Sequence, residues 1–425
     1  MPTLESVVSR LTELMESMWI IDSHEHLSPE AARLGSRPDF SHLFSHYCVS
    51  DFLAAGMTPE DQKRLYAPET PVEEKWRIFE PLYGRARDGS YCRVARIAME
   101  RFYGMSGLES LADAEALTAS IREGNTAGLY RRVLKDACRI RLALNYGDIS
   151  DDREYFAPVI FVTQYAEVTP GVIREMEGRG ASCATLERYV GALAGHLESL
   201  KRQGMKGLKF HFAYMRDLDF APRAHAEAEA VFNRVMEEGY GWRMVSLGYE
   251  ESRPLQDYLV HRLVQIAGDL ELPVVFHSAL QAHADHKASD ARPLPLWNLA
   301  HRYPRVRFVV LHAGLPWMEE AALLAKHFAN VYLDMGWTHL MSPEISTRAL
   351  RAFVDLVPMH KVFGFGGDYS VVEKVWGHLV IARRDIARAL AAKVQDGDLT
   401  VERAEAWVRA LLYDNPRDVF RLSVE

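Results

Sequence analysis

Eight short apolar runs, most of them separated by amphipathic stretches, constrain this chain more than any other feature of its sequence. They are MWIID at 18–22, RIRLALNY at 139–146, PVIFVTQY at 158–165, KGLKFHF at 206–212, LPVVFHS at 272–278, VRFVVLH at 306–312, NVYLDMG at 330–336 and KVFGFGGD at 361–368. Runs of this length and composition, alternating with helical patterns, read as parallel strands joined by helical crossovers. Eight of them fit a closed α/β architecture, the (β/α)8 TIM barrel, better than an open sheet.

The spacing of the runs is uneven. More than a hundred residues separate the first from the second, and patterns such as VEEKWRIFEPLYGRA and YCRVARIAMERFYG mark 30–135 as a mainly helical insertion. The gap between 212 and 272 should hold a helix and a loop elaboration around GYGWRMVSLGYEESRP. No Gly/Ser-rich or Pro-rich linker divides the chain, so all 425 residues are expected to form one barrel domain carrying the insertion. The first residues, with Leu4, Val7, Val8, Leu11, Leu14 and Met15 at helical spacing, predict an amphipathic helix rather than a signal peptide.

Charge excludes some functions. The net charge is −8 and basic residues are interleaved with acids, which argues against a nucleic-acid partner. No apolar run is long enough to span a bilayer, so no membrane partner is expected. Cys48, Cys92, Cys138 and Cys183 are far apart and form no CxxC pair, a pattern that suits a reducing cytoplasm. The expected partner is a small-molecule substrate; self-association as a homo-oligomer stays open.

The chemistry sits where the strands end. Along the first run Asp22, His24 and His26 alternate, so they face one side of the strand. His277 follows PVVF, His312 follows RFVVL and Asp368 follows VFGFGG. A polar side chain at the end of a buried strand is costly unless it has a partner. One such residue is readily a hydrogen-bonded core group; four strands ending this way point to a shared site at the C-terminal mouth of the barrel. Histidine nitrogens and a carboxylate suit a divalent metal, zinc first, with manganese, iron or nickel not distinguished by the sequence. Such an ion lowers the pKa of a bound water towards neutrality.

In GLKFHF, Leu208, Phe210 and Phe212 alternate with Lys209 and His211, so the polar pair should point inward. Lys209 would then bind a substrate anion, or carry a carbamate that bridges two metals, or pair with a buried carboxylate. His211 would contact the substrate or bond a neighbour. His42 and His46, four residues apart in the insertion, read as a packed or solvated helix face.

With these residues in place, the chain resembles the amidohydrolase superfamily of metal-dependent barrels, in particular the amidohydrolase-2 type. The similarity is strongest to the amidohydrolase domain that FluG and nodulin-like proteins fuse to a glutamine-synthetase-like domain. It is carried by GLKFHFAYMRDLDF, LPVVFHSAL, VVLHAGLPWMEEAALLAKHFANVYLDMGW, FGFGGDYSVVEKVWGHLVIARRDIARAL and LLYDNPRDVF, across about 205–425, and by the first strand. HEHLSPEAARL and EEKWRIFEPLY are similar to uronate isomerases of the same superfamily.

The resemblance implies that His24, His26, His277 and Asp368 hold one or two divalent ions. His312 would be a second-metal ligand or a polariser of the substrate carbonyl, and Asp368 would also move the proton of the attacking water. Arg216, just past the fourth strand, would clamp a substrate carboxylate or form a surface salt bridge; Tyr214, Asp334, Trp337 and His339 lie in loops or strand ends and should line the pocket. Two departures from the family pattern stand out. SALQAHADHK replaces a Gly-rich turn, leaving His283 and His286 as loop residues that could extend the site, and AYMRDLDF carries one residue more than usual before Arg216.

Three functions remain at this point. The first is a metal-dependent hydrolase of an amide or related C–N bond in a small, carboxylate-bearing substrate. The second is a non-oxidative decarboxylase or a uronate-type isomerase on the same ligands. The third is a non-catalytic, metal-containing binding protein, against which the complete set of ligand positions argues.

Overall fold

In the computed structural model, residues 2–240, 248–282 and 286–424 are described. The eight expected strands are present: β1 (Ile20–Glu25), β2 (Ile140–Tyr146), β3 (Phe156–Phe161), β4 (Gly207–Phe210), β5 (Val274–Phe276), β6 (Phe308–Val310), β7 (Val331–Asp334) and β8 (Val362–Phe363). They pair in parallel in the order β1 to β8. The remaining seam is closed beyond the end of β8, where Ser23 N–H donates to the Phe365 carbonyl (3.1 Å) and Asp368 N–H to the His24 carbonyl (2.7 Å). The result is a nearly closed (β/α)8 barrel.

Strand alternation sorts the side chains. Ile21, Leu144, Val159, Val275, Val309 and Phe363 pack together. Leu208, Phe210, Val274, Phe276 and Phe308 belong to a second apolar cluster that also contains residues of the outer helices, such as Leu259, Leu379 and Ile386. The N-terminal helix (Leu4–Ser17) is capped by the Thr3 hydroxyl and buries Val7, Leu11 and Met15.

The segment between β1 and β2 is helical, as expected, and has an apolar core of its own around Phe40, Phe44, Phe52, Phe79 and Tyr83. Buried ion pairs fasten this cap. Lys75 meets Asp39 at 2.6 Å, and Arg33 meets Glu373, at the start of the long helix Val372–Gln395, at 2.8 Å. The neighbouring Lys374 donates to the Ser45 carbonyl (2.6 Å). Between β4 and β5 lie helices His225–Tyr240 and Tyr249–Asp269; of the elaboration expected there, 241–247 fall outside the described residues. Among the described residues no helix is long and apolar enough to cross a membrane, and all four cysteines are free and buried.

Candidate metal centre

Three of the expected ligands converge at the mouth of the barrel. His24 Nε2 and His26 Nε2 are 3.1 Å apart, and they lie 3.5 and 3.4 Å from Asp368 Oδ1. For ligand–metal distances of about 2.0–2.1 Å, the edge of a coordination tetrahedron is about 3.4 Å. The three atoms therefore have the spacing of one face of a metal site. His277 lines the same cavity, and its Nε2 is buried with no hydrogen-bond partner among the described residues. His312 is next to it, with ring centroids 4.8 Å apart.

The protonation states suit a cation. Burial, reinforced by the Lys209 charge, holds His24 well below its ordinary pKa; burial also lowers His26, against the pull of Asp368. Burial, with help from the His312 charge, keeps His277 well below its usual value, and burial pushes His312 down to about 4. At neutral pH all four rings keep a lone pair. His26 Nδ1 donates to the Tyr146 carbonyl (3.1 Å) and His312 Nδ1 to the Gly336 carbonyl (2.8 Å), so in each ring the lone pair sits on Nε2. A neutral His312 in that tautomer cannot donate to a substrate carbonyl from Nε2; it can ligate or accept a proton. Burial works against the charge of Asp368, but His312, His26 and the Tyr47 hydroxyl outweigh it and hold the carboxyl below its ordinary range. The residues present fit a divalent cation.

Backbone geometry delivers Asp368. The residue has φ +56°, a conformation rare outside glycine and concentrated at functional sites. Gly366 and Gly367 precede it because the chain passes against β1: a Cβ on Gly366 would lie 2.8 Å from His24 Cβ, and one on Gly367 would overlap Glu25 Oε1. Asp22, at the opposite end of that contact, accepts from the backbone N–H groups of His24 (3.0 Å) and Gly367 (3.1 Å). It ties β1 to the Asp368 turn. Glu25 accepts from Tyr369 N–H (2.9 Å), and burial, reinforced by the Asp22 charge, raises its pKa strongly.

The cavity above these ligands measures about 370 Å³. Lys209, His211, Tyr214 and Trp337 line it, as expected. Lys209 is 2% exposed and its amine makes no hydrogen bond to the described residues; the Nζ lies 5.1 Å from the centre of the Tyr146 ring. Burial pushes the amine down to about 7, opposed by Asp368 and Asp334. His211 bonds through Nδ1 to Thr163 Oγ1 (3.0 Å), and Tyr214 accepts from Ala282 N–H (3.3 Å).

Other expectations are corrected. Arg216 does not line the cavity. Its guanidinium is buried, 2.7 Å from Asp257 and 2.8 Å from the Asp219 carbonyl, and packs on Phe220. Asp334 is buried as well, accepting from Gly336 N–H, and His339 is held between the Gly364 carbonyl (3.0 Å) and Asp385 (3.4 Å); neither lines the cavity. His283 lies outside the described residues, and His286 packs edge-on against Tyr214. In the other direction, the cap contributes His46 and Tyr47, which sequence reasoning missed. His46 is not on a helix face: it has φ +59°, and Tyr47 beside it shares the cavity wall with Asp368. Phe161, Leu280 and Ala282 complete the wall.

Comparisons with known proteins give the family and the fold. The sequence model of the amidohydrolase family matches residues 21–422. Protein fluG of Emericella nidulans is 26% identical over 223 residues, 51% of this chain but 26% of fluG, so the match spans about a quarter of that protein's length. Among solved structures, the uronate isomerase of Thermotoga maritima superposes with a TM-score of 0.80 at 15% identity, over 98% of this chain and 97% of that one. The glucuronate isomerase of Caulobacter crescentus gives 0.79 at 18%, over 100% and 95%. A protein described as a metal-dependent hydrolase from Lactobacillus casei gives 0.68 at 18%, over 97% of both chains.

Proposed function

The chain belongs to the amidohydrolase family, and from that premise we propose that it is a hydrolase of an amide or related C–N bond in a small, carboxylate-bearing molecule. The observation that carries the reading is the triangle of His24 Nε2, His26 Nε2 and Asp368 Oδ1, with sides of 3.1 to 3.5 Å, beside the unpartnered Nε2 of His277. These residues would hold a divalent ion, most simply zinc, which when bound supplies Lewis acidity towards water and the substrate carbonyl.

The side chains supply the rest. Asp368 offers Oδ1 to the ligand triangle and keeps Oδ2 to accept a proton from water as its oxygen attacks the carbonyl carbon. It returns that proton to the nitrogen as the C–N bond breaks. A carboxyl held below its ordinary pKa is ready as the acceptor at neutral pH. The Lys209 amine, buried and without a hydrogen-bonded partner among the described residues, receives the substrate carboxylate. Tyr214, whose oxygen accepts from Ala282 N–H, keeps its own proton to donate.

Metal-loaded protein screened against amides, aromatic acids and uronates tests the reading. Release of an amine or ammonia with the matching acid is expected. Release of carbon dioxide, or aldose–ketose interconversion without hydrolysis, would overturn it in favour of a decarboxylase or an isomerase.

A further inference from the structure

The wall of the cavity combines polar groups with a carbon surface. Beside the ligand triangle, the polar groups are His277, His312, Lys209, His211, Tyr214 and, from the cap, His46 and Tyr47. The carbon surface comes from Phe161 at the end of β3, Leu280 and Ala282 after β5, and Trp337 after β7. Phe161 lies nearly parallel to the His26 ring (centroids 6.0 Å, 16°), so its position is fixed relative to the ligand triangle. Trp337 stands edge-on to His312 at 5.5 Å. Leu280 is 39% exposed at the cavity, where a ligand would cover it.

What the lining lacks matters as much. Among the described residues no Asn, Gln, Ser, Thr or Arg side chain lines the cavity, and Asp368 is the carboxylate that does. A sugar acid carries a hydroxyl on almost every carbon, and each hydroxyl buried against carbon without a partner costs affinity. The imidazoles and phenols of the wall can meet some of those hydroxyls, but among the described residues the wall has no amide or guanidinium to bind two adjacent hydroxyls at once. Arg216, the nearest candidate from sequence, is consumed by Asp257. An aromatic or branched apolar body, in contrast, matches Phe161, Leu280, Ala282 and Trp337, with its anionic end at Lys209.

We propose that the substrate is a carboxylate whose body is aromatic or otherwise apolar, and that the cavity discriminates against polyhydroxylated acids. This rests on the hydrolase reading for the reaction but not for binding, so binding is measured separately from turnover. Benzoate, phenylacetate, gluconate and glucuronate are titrated by calorimetry into the metal-loaded and metal-free protein. The aromatic acids are expected to bind at least about ten-fold more tightly than the sugar acids. Phe161→Ala should remove about ten-fold of that preference, and Leu280→Ser part of it. Lys209→Met should abolish the preference for benzoate over benzamide while leaving benzamide binding in place. Circular dichroism of each variant separates loss of binding from loss of fold, and Phe161→Leu serves where Phe161→Ala unfolds.

Equal or tighter binding of gluconate or glucuronate would overturn the inference even if the protein hydrolyses amides. Selective binding of aromatic acids with no hydrolysis of any aromatic amide would uphold it and defeat the hydrolase reading. Binding of neither class by folded, metal-loaded protein would also overturn it.

Discussion

Replacing Arg216 by methionine separates a substrate clamp from a buried structural ion pair. As a substrate clamp, Arg216 would be dispensable for stability and its loss would raise KM. The structure places it instead in a buried network: Asp257 at 2.7 Å, the Asp219 carbonyl at 2.8 Å, and the Phe212 and Phe220 rings within 5.8 and 4.9 Å of the guanidinium. Removing one member of a buried ion pair costs ~3–5 kcal/mol, because the other charge stays buried. Asp257 keeps a second partner, Arg223 at 3.0 Å and 29% exposed, so the lower end, ~3 kcal/mol, is expected.

With an unfolding entropy of about 2.1 cal/mol/K per residue, a cooperative chain of 425 residues has ~0.9 kcal/mol/K at its midpoint. The melting temperature of Arg216→Met should therefore fall by ~3 °C in scanning calorimetry. Adding Asp257→Leu removes the orphaned carboxylate and should recover most of the loss. Affinity for benzoate in the folded variant should change less than two-fold, since Arg216 touches neither cavity nor ligand triangle. An unshifted melting temperature together with a ten-fold loss of carboxylate affinity would refute this assignment and restore the clamp.

Elemental analysis of protein purified without added metal should find between one and two divalent ions per chain, and His24→Ala or Asp368→Asn should reduce that number. A cation present at a hundred times its Kd stabilises by ~2.7 kcal/mol, so a chelator should lower the melting temperature by ~3 °C; metal-free, chelator-insensitive protein would defeat the metal centre. Gly367→Ala forces a methyl into the Glu25 carboxyl and should lose cation binding along with ~1–3 kcal/mol of stability; a fully metallated, equally stable variant would refute the close approach. His378 is buried, donates to the Gly367 carbonyl at 2.9 Å, and is held by burial at about 3. Its folded pKa is below the unfolded value of about 6.5, so the unfolded chain binds more protons in between and stability falls as pH falls through that window. Between pH 6.5 and 5 the loss is roughly 2 kcal/mol, and His378→Gln should flatten it in pH-dependent melting curves; an unchanged slope would exclude His378 as the source.

What was legible in the sequence followed from two local rules. Period-two alternation placed Lys209 inward and its neighbours Leu208 and Phe210 outward, and the structure sorts them so. The cost of burying a polar group at a strand end marked His24, His26, His277, His312 and Asp368, which all reach one cavity. Neither rule reaches beyond its own segment. For Arg216 the deciding partner, Asp257, is 41 residues away on the helix Tyr249–Asp269, out of reach of any local pattern. His46 and Tyr47 were missed because a positive φ at His46 breaks the helical spacing that would have packed the histidine on a helix face.

The cap and the ligand set are nonetheless joined by one short piece of chain. Gly366 and Gly367 let the segment after β8 press against β1, and Asp22 and Glu25 hold it there through backbone N–H groups. Asp368 emerges from that turn, and five and six residues later Glu373 and Lys374 grip the cap at Arg33 and the Ser45 carbonyl. Ser45 immediately precedes His46 and Tyr47, which line the cavity with Asp368. The chain thus runs from the carboxylate, through its own helix, to the cap residues that face it. A disturbance at Glu373 or Lys374 should reach the cavity without touching a ligand, so the first turn of that helix belongs to the construction of the site as much as the histidines do.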